Sequence, residues 1–481
     1  MSSILLVNPP LQNDGVYGGP PFGLTLLATH LNNRKLNVEV IDLVPLVSKG
    51  KLSQISESEM IVYIKKGKCS KKLWHNLHFI SKQLQKSNYK NLGFTIHDKY
   101  EFFYCLAIAK FIKRRIDCNI ILGGFYISSS DLSFLNLYPF VDLIVKGYGE
   151  KTLEKYLKGH HLRNIPGISY RYKNKIYSKE PSKIKSIEDM DLPDYSFFKK
   201  SNYLIKSQKT KQFLIPYIIN KGCNGKCKFC ASHTYLKQIG NCIQYKSGIK
   251  VANEIRQLMK QNNSKYFIFC DDAINTNPKQ LENVLDSLIY HRYNIYWGSF
   301  ARADLITKDL AKKLSRSGCK YLVFGCESGS QKILNKMRKG TNTKTMQKTL
   351  ANTYNNGILN FGYFMVNFPG ETWNDFLRTV AFILKNHRKF YGVYCFEYHN
   401  REGSQLFIEQ DPLTPDNDTF IGKIKIKLIQ YLVAPFITAS NIISILRINP
   451  KHIFTYIKLQ LRDVPFPEYY FTYYDIINKK L

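Results

Sequence analysis

The stretch FLIPYIINKGCNGKCKFC, residues 213–230, leads from an apolar strand directly into a short loop with three cysteines. Cys223, Cys227 and Cys230 are separated by three and by two residues. Thiolates are soft ligands that suit iron–sulfur clusters, and three of them can hold three irons of a cubane. The loop has no fourth cysteine, which leaves one iron open to a small molecule that carries an amine and a carboxylate. The stretch therefore predicts a [4Fe-4S] cluster on these three cysteines.

A structural zinc ion is the alternative for the same cysteines, with His233 as a possible fourth ligand. Zinc knuckles are small units that usually come as paired short arms. Here a long array of strands and helices follows the cysteines, which is typical of an enzyme barrel. We therefore favour the cluster over zinc.

A partial (β/α)6 TIM-like barrel is predicted for residues 213–400, because apolar runs alternate there with helical stretches. In such barrels functional groups collect at the carboxyl rim, where strands end in loops. The predicted strands cover residues 213–219, 266–270, 294–300, 321–325, 360–366 and 393–397.

The cysteine loop, with Phe229 before its last cysteine, resembles the signature of the radical S-adenosylmethionine (radical SAM) superfamily. Two later segments strengthen the resemblance. The run GCESG at residues 325–329 is similar to a fourth-strand segment of the family, and NFPGET at 367–372 is similar to its Gly-Leu-Pro-Gly-Glu-Thr loop. The resemblance spans about residues 210–400 and implies an enzyme that cleaves S-adenosylmethionine reductively.

The resemblance also implies which rim residues bind S-adenosylmethionine. Asp271 or Asp272 would pair with its amine, and Arg302 would bind its carboxylate through a forked contact. Glu327, followed by Ser328, would bind the ribose hydroxyls, and the turn at Pro369 would bring backbone near the adenine.

Residues 1–160 are predicted to form a flavodoxin-like doubly wound parallel sheet. Five apolar runs alternate with helical stretches, and ligands of such sheets bind beyond the carboxyl ends of the strands. The predicted strands are residues 4–7, 38–43, 92–97, 119–122 and 142–146.

The rim of this sheet resembles the cobalamin-binding domain of class B methyltransferase-like radical SAM enzymes. The resemblance implies a cobalamin site, and glycines there would allow close approach of a bulky ligand. The Asp-x-His-x-x-Gly motif that supplies cobalt with histidine in other cobalamin proteins is absent, so loss of cobalamin binding stays open. The residues assigned to this site are Asn8, Thr95, Gly123, Gly124, Tyr126, Gly147 and Glu150.

Two further segments complete the predicted organisation. Residues 161–212 are charged and broken by prolines, which predicts a linker with a hairpin. Residues 401–481 are predicted to be a helical, aromatic-rich extension that packs on the core.

Composition limits the function classes. The chain has 481 residues and a formal net charge of +34, and its charge is spread without a nucleic-acid motif, so no nucleic-acid partner is expected. The eleven cysteines are too sparse for a disulfide scaffold and favour the cytoplasm. No secretory signal is recognised. The long apolar segment 428–446 contains several polar residues, which makes it a poor membrane span.

The resemblance, taken with the two domains, implies cobalamin-dependent radical methylation of an unactivated carbon in a biosynthetic intermediate. Flavodoxin or ferredoxin is the expected electron donor, and the substrate is a small molecule, a lipid or a peptide. Cyclisation, epimerisation or rearrangement without methyl transfer is the alternative chemistry. A basic nucleic-acid-binding protein with a structural metal is the alternative from another class.

Overall fold

The computed structural model describes residues 3–11, 19–129, 134–183, 186–206, 211–232, 236, 243–401, 403–409 and 420–448. His233 and the aromatic residues 469–474 lie outside the described residues. The chain divides into two compact units. The N-terminal unit comprises residues 1–185, 189–202 and 234–241, and the C-terminal unit comprises residues 186–188, 203–233 and 242–481.

The N-terminal unit is built on a seven-stranded sheet with the order β2-β1-β3-β4-β5-β6-β7. The first five strands pair in parallel, whereas β6 and β7 form an antiparallel hairpin that extends the sheet. The predicted doubly wound sheet is therefore confirmed. Its strands are β1 (Ile4–Asn8), β2 (Val38–Asp42), β3 (Asn91–Thr95), β4 (Asn119–Gly123), β5 (Leu143–Val145), β6 (Ile168–Tyr172) and β7 (Lys175–Ser178).

Three helices of this unit begin at side chains that cap their free N–H groups. Ser56 and Glu59 form a capping box, and the Asp98 carboxylate accepts the N–H of Glu101. The helices are α1 (Phe22–Asn33), α2 (Val44–Ser48), α3 (Glu57–Lys66), α4 (Lys71–Leu84), α5 (Lys99–Ile112), α6 (Phe125–Ser129), α7 (Phe134–Leu137) and α8 (Gly149–Leu157).

The main sheet of the C-terminal unit has the order β16-β15-β14-β13-β12-β9-β8. Six of its strands pair in parallel, as a partial (β/α)6 barrel requires, and β8 joins β9 antiparallel at the edge. The strands are β8 (Leu204–Lys206), β9 (Lys211–Tyr217), β12 (Tyr266–Phe269), β13 (Tyr296–Ala301), β14 (Cys319–Glu327), β15 (Leu359–Val366) and β16 (Gly392–Glu397), with β10 (Asn220–Lys221) and β11 (Gln244–Tyr245) paired separately.

Helices of this unit cover one face of the sheet. The ring of Phe364 on β15 packs against Phe382, and strand residues alternate in direction, so Tyr363 and Met365 lie on the opposite face. The helices are α9 (Gly248–Asn262), α10 (Pro278–His291), α11 (Lys308–Arg316), α12 (Gln331–Lys336), α13 (Thr343–Asn355), α14 (Trp373–Lys385), α15 (Gln405–Glu409), α16 (Phe420–Leu432) and α17 (Ala434–Ile448).

The helices α16 and α17 belong to the predicted C-terminal extension. They pack against β16, which places them beside the last parallel strand. Within the residues that the structure describes, no helix combines the length and the apolar character needed to cross a membrane.

Candidate functional site

The cysteine loop follows β9 and is folded tightly around Gly225. The Gly225 N–H lies 3.4 Å from Cys223 Sγ. A Cβ atom at position 225 would stand 3.3 Å from Cys223 Sγ, 3.6 Å from Cys227 Sγ and 2.9 Å from Arg302 Nη1. A side chain at this position would displace the end of Arg302 and press on the Cys223 thiol, so glycine allows the close packing of the loop.

The three thiols are close enough to influence each other. The charge of Cys230 raises the pKa of both Cys223 and Cys227. Burial is the largest cause that raises the pKa of these two thiols, while Arg302 acts in the opposite direction. A metal cluster that binds them must displace protons at neutral pH.

The thiols do not converge as the ligands of one ion would. Among the described residues, no three Cys, His, Asp or Glu side chains form a single-ion site. A cubane cluster has no such requirement, since each thiolate binds a different iron. Three cysteines in one loop can thus each bind a different iron of a cubane.

Two buried cations lie beside the cysteine loop. Arg302 holds Asp304 through two contacts, Nη2 to Oδ2 at 2.6 Å and Nε to Oδ1 at 3.1 Å. Its Nη2 also donates to the carbonyl of Lys339 at 2.9 Å. The Lys339 ammonium lies 5.8 Å from the centre of the Phe229 ring. Asp304 and Lys339 were not singled out in the sequence, because no local motif marks them.

Lys339 forms an ion pair with Glu327, with Nζ and Oε1 2.8 Å apart. Burial lowers the pKa of Lys339, but the charges of Glu327 and Cys227 raise it more, so the lysine stays protonated.

The register of β14 shifts between Gly325 and Glu327, and Glu327 has a φ of +63°. A bulge of this kind redirects a side chain at the end of a strand. A Cβ at Gly325 would stand 2.5 Å from Glu327 Oε1, so the glycine makes room for this carboxylate.

The two aspartates after β12 have different surroundings. Asp271 is buried, and its Oδ1 accepts the N–H groups of Ile219 at 3.0 Å and Asn220 at 2.6 Å. Asp271 therefore holds the chain that enters the cysteine loop. Asp272 is exposed and accepts hydrogen bonds from the Gly222 N–H and from Ser232.

Ser328 and the turn at Pro369 lie at the ends of β14 and β15. Ser328 is buried, and its hydroxyl bonds Thr379 of α14 at 3.1 Å and accepts the Ser330 N–H at 3.1 Å. The turn is closed by the Glu371 N–H, which donates to the Phe368 carbonyl at 2.8 Å. The structure thus brings Arg302 and Glu327 next to the cysteines and directs Ser328 toward a helix.

The sheet face opposite the helices carries a layer of aromatic side chains. Tyr363 contacts Phe300, Tyr394 and Phe396 edge to face, with ring centres 5.2–5.9 Å apart. Phe300 is 38% exposed and Phe396 is 48% exposed, although both lie on strands of the main sheet. Met365 continues this face toward the carboxyl end of β15. This face, called the inner face of the sheet below, therefore has exposed apolar surface that a ligand could contact.

The candidate cobalamin residues lie on the carboxyl rim of the N-terminal sheet. Asn8 is fully buried and donates to Asp42 at 2.9 Å, and among the described residues its Oδ1 has no partner. Gly124 has a φ of +107°, and a Cβ there would lie 2.4 Å from the Ile96 carbonyl oxygen, so the Ile96 backbone requires glycine at this position. The orphaned amide oxygen of Asn8 fits a polar ligand at this rim.

The remaining residues assigned to this rim are held by a hydrogen bond, by their place in a helix or strand, or by ring packing. The Gly147 N–H donates to the Ser128 hydroxyl at 2.9 Å, and Glu150 lies in the first turn of α8. Thr95 ends β3 beside Gly123 of β4. Tyr126 packs its ring against Phe102, 5.4 Å between centres.

Comparison with known families decides the nature of the C-terminal unit. Residues 217–383 match the model of the radical SAM superfamily. This segment is a radical SAM domain. Its match contains Cys223, Cys227 and Cys230, together with Arg302, Glu327 and Lys339. The family assigned to the cysteine loop is thus confirmed.

The chain is also similar to a curated protein over most of its length. It is 25% identical over 394 residues to an uncharacterized methyltransferase of Pyrococcus horikoshii, which covers 79% of this chain and 78% of that protein.

Two solved structures share the fold. The cobalamin-dependent S-adenosylmethionine radical enzyme OxsB with aqua-cobalamin bound superposes with a TM-score of 0.67 and 15% identity, over 96% of this chain and 71% of that chain. The radical S-adenosylmethionine methyltransferase TsrM from Kitasatospora setae, with cobalamin and a [4Fe-4S] cluster bound, gives a TM-score of 0.63 and 16% identity, over 85% and 74% of the two chains. At this identity the likeness supports the fold.

Proposed function

We propose that the chain holds a [4Fe-4S] cluster on Cys223, Cys227 and Cys230 and uses S-adenosylmethionine for cobalamin-dependent radical methylation. The observation that carries the proposal is the position of three cysteines in one loop of a radical SAM domain, with the thiols of Cys223 and Cys227 folded around Gly225. When bound, the cluster supplies the electron that cleaves the sulfonium of S-adenosylmethionine and releases a hydrogen-abstracting radical.

Side chains beside the cysteines provide complementary groups for S-adenosylmethionine. Arg302 and Lys339 place two positive charges next to the loop, which suits the carboxylate. Glu327 suits the ribose diol, since carboxylates accept hydroxyl hydrogen bonds. Of the two aspartates, Asp272 is the better candidate for the amine, because Asp272 is exposed whereas Asp271 is buried.

Methylation is favoured over cyclisation, epimerisation or rearrangement. The relative from Pyrococcus horikoshii is called a methyltransferase, and TsrM is a methyltransferase with cobalamin bound. The orphaned amide oxygen of Asn8 at the rim of the N-terminal sheet fits such a cofactor. Bound cobalamin supplies a cobalt that carries and donates a methyl group. The acceptor would be an unactivated carbon of a small molecule, lipid or peptide.

A low-potential electron donor of the flavodoxin or ferredoxin kind is the proposed partner. Such donors are acidic, and a chain with a formal charge of +34 would attract them by long-range electrostatics.

The test is anaerobic reconstitution followed by assays of iron, sulfide and deoxyadenosine. The wild-type protein is expected to bind a cubane and to form deoxyadenosine from S-adenosylmethionine under strong reductant. Cys227→Ala should lose the cluster, whereas Cys69→Ala, a half-buried cysteine of the N-terminal unit, should keep it. Normal iron and sulfide without any deoxyadenosine would contradict the proposal.

A further inference from the structure

The strand order of the N-terminal sheet marks the place of a ligand crevice. The chain runs from β1 to β2 on one side and then to β3 on the other side of β1. In doubly wound sheets such a reversal opens a crevice beyond the carboxyl ends of the two central strands. Asn8 ends β1, and His97 comes two residues after Thr95, the last residue of β3. An imidazole therefore stands at the edge of this crevice.

His97 is held by a buried carboxylate. Its Nδ1 lies 3.2 Å from Glu101 Oε2, and its backbone N–H donates to the same oxygen at 2.6 Å. Glu101 is fully buried, and within the described residues its Oε1 has no hydrogen-bond partner. A carboxylate only accepts, so Nδ1 carries the proton of this contact and Nε2 is the ring nitrogen that a metal could bind in place of a proton.

The segment that carries His97 is rigid. The Ile96 N–H donates to the Gly123 carbonyl at 2.9 Å, and the Ile96 carbonyl accepts the Tyr126 N–H at 3.1 Å. Gly124 lies against the Ile96 backbone with no space for a Cβ. The His97 side chain is nevertheless 43% exposed. Within the described part of the chain, no hydrogen bond is formed by its Nε2.

We propose that His97 ligates the cobalt of the corrin through Nε2, with Glu101 as the carboxylate that orients it. A ligating histidine almost always donates its other ring N–H to a carboxylate or carbonyl, which is the arrangement found here. The inference rests on the proposed cobalamin function. His97 follows β3, whereas the missing Asp-x-His-x-x-Gly motif would place its histidine in the loop after β1.

The test uses electron paramagnetic resonance of the full chain loaded with hydroxocobalamin and reduced anaerobically to cobalt(II). Protein labelled with ¹⁵N-histidine is compared with unlabelled protein, because ¹⁵N splits the cobalt signal into doublets and ¹⁴N splits it into triplets. A change from triplets to doublets on labelling is expected. His97→Gln should lose the doublets, and His75→Gln, an exposed histidine of α4, should keep them. Glu101→Gln should weaken cobalamin binding by about tenfold or more.

The other outcomes are distinct. Triplets that persist in labelled protein mean that the benzimidazole of the cofactor itself is the ligand, and an unsplit signal means that no nitrogen binds. Either result overturns the role of His97 while cobalamin binding stands. If the chain binds no corrin at all, both the role of His97 and the proposed cobalamin function fail, although the radical SAM domain is unaffected.

Discussion

Lys425 Nζ lies 2.7 Å from Glu371 Oε2, and both side chains are buried, with 4% and 0% of their surface exposed. The same oxygen accepts the N–H of Asn367 at 2.8 Å. Lys425 belongs to α16, whereas Glu371 lies in the turn after β15. The ion pair thus joins the C-terminal helix to the rim of the radical SAM domain.

Removing the Lys425 ammonium should destabilise the fold. Lys425→Met leaves the Glu371 carboxylate buried without its cation, which is expected to lower the free energy of unfolding by about 3–5 kcal/mol. Urea denaturation of the full chain measures this loss. Lys427→Met, on an exposed position of the same helix, should change stability by less than about 0.5 kcal/mol. The double variant Lys425→Met with Glu371→Gln should recover most of the loss, and equal losses in both single lysine variants would refute the coupling.

Asp271 should make stability depend on pH. Burial raises its pKa to about 7, although the Ile219 and Asn220 N–H groups oppose the rise. Its ordinary pKa is 3.8 in the unfolded chain, so folding retains a proton that the unfolded state releases. The contribution of Asp271 to stability is therefore complete below pH 4 and is lost as the pH rises toward 7, by up to about 1.4 kcal/mol per pH unit.

The variant Asp271→Asn isolates this effect, because asparagine keeps a carbonyl oxygen for both N–H groups and does not titrate. The stability of wild type minus that of the variant should fall between pH 4 and 7 and level off above. A difference that stays constant over this range would show that Asp271 does not change its protonation there.

Lys339 is expected to contribute to binding of S-adenosylmethionine without holding the cluster. Lys339→Met removes the cation beside Cys227 and leaves Glu327 without its partner. We expect normal iron content and a dissociation constant for S-adenosylmethionine raised at least tenfold, measured by calorimetry on the reconstituted protein. Lys344→Met, at an exposed position of α13, is the matched control. Loss of iron in Lys339→Met would assign the lysine to the cluster instead.

The aromatic layer of the inner face should bind apolar ligands. Replacing Phe300 and Phe396 by alanine is expected to reduce the fluorescence of bound anilinonaphthalene sulfonate, because both rings expose apolar surface next to Tyr363. Phe420→Ala, which removes a 79% exposed ring from α16, serves as the control. An equal loss in the control would mean that the dye binds elsewhere.

Much of the fold could be predicted because its signals are local. Buried parallel strands appear as short apolar runs, and all eleven predicted strands are present with small shifts at their ends. The three cysteines occupy one loop, so their spacing alone predicts a cluster. The rim residues Arg302 and Glu327 follow from the rule that parallel strands end on one edge.

The side-chain partners could not be predicted in the same way. Glu101 lies in the first turn of α5 and was not singled out in the sequence, yet it holds His97. The sequence predicted Asp271 or Asp272 as the partner of an amine, whereas in the structure the Asp271 carboxylate accepts two backbone N–H groups. Such contacts depend on how helices and turns pack after the strands have assembled.

The sequence by itself determined the strand pattern and the cysteine loop, because these follow from periodicity and spacing along the chain, and the resemblance of that loop to a known family implied the radical SAM character of the domain. Only the tertiary structure decided that Lys339 neutralises Glu327, that Lys425 reaches Glu371, and that an imidazole stands at the crevice of the N-terminal sheet. The physical reason is that burial and charge pairing arise between residues distant in sequence, and no local pattern records them.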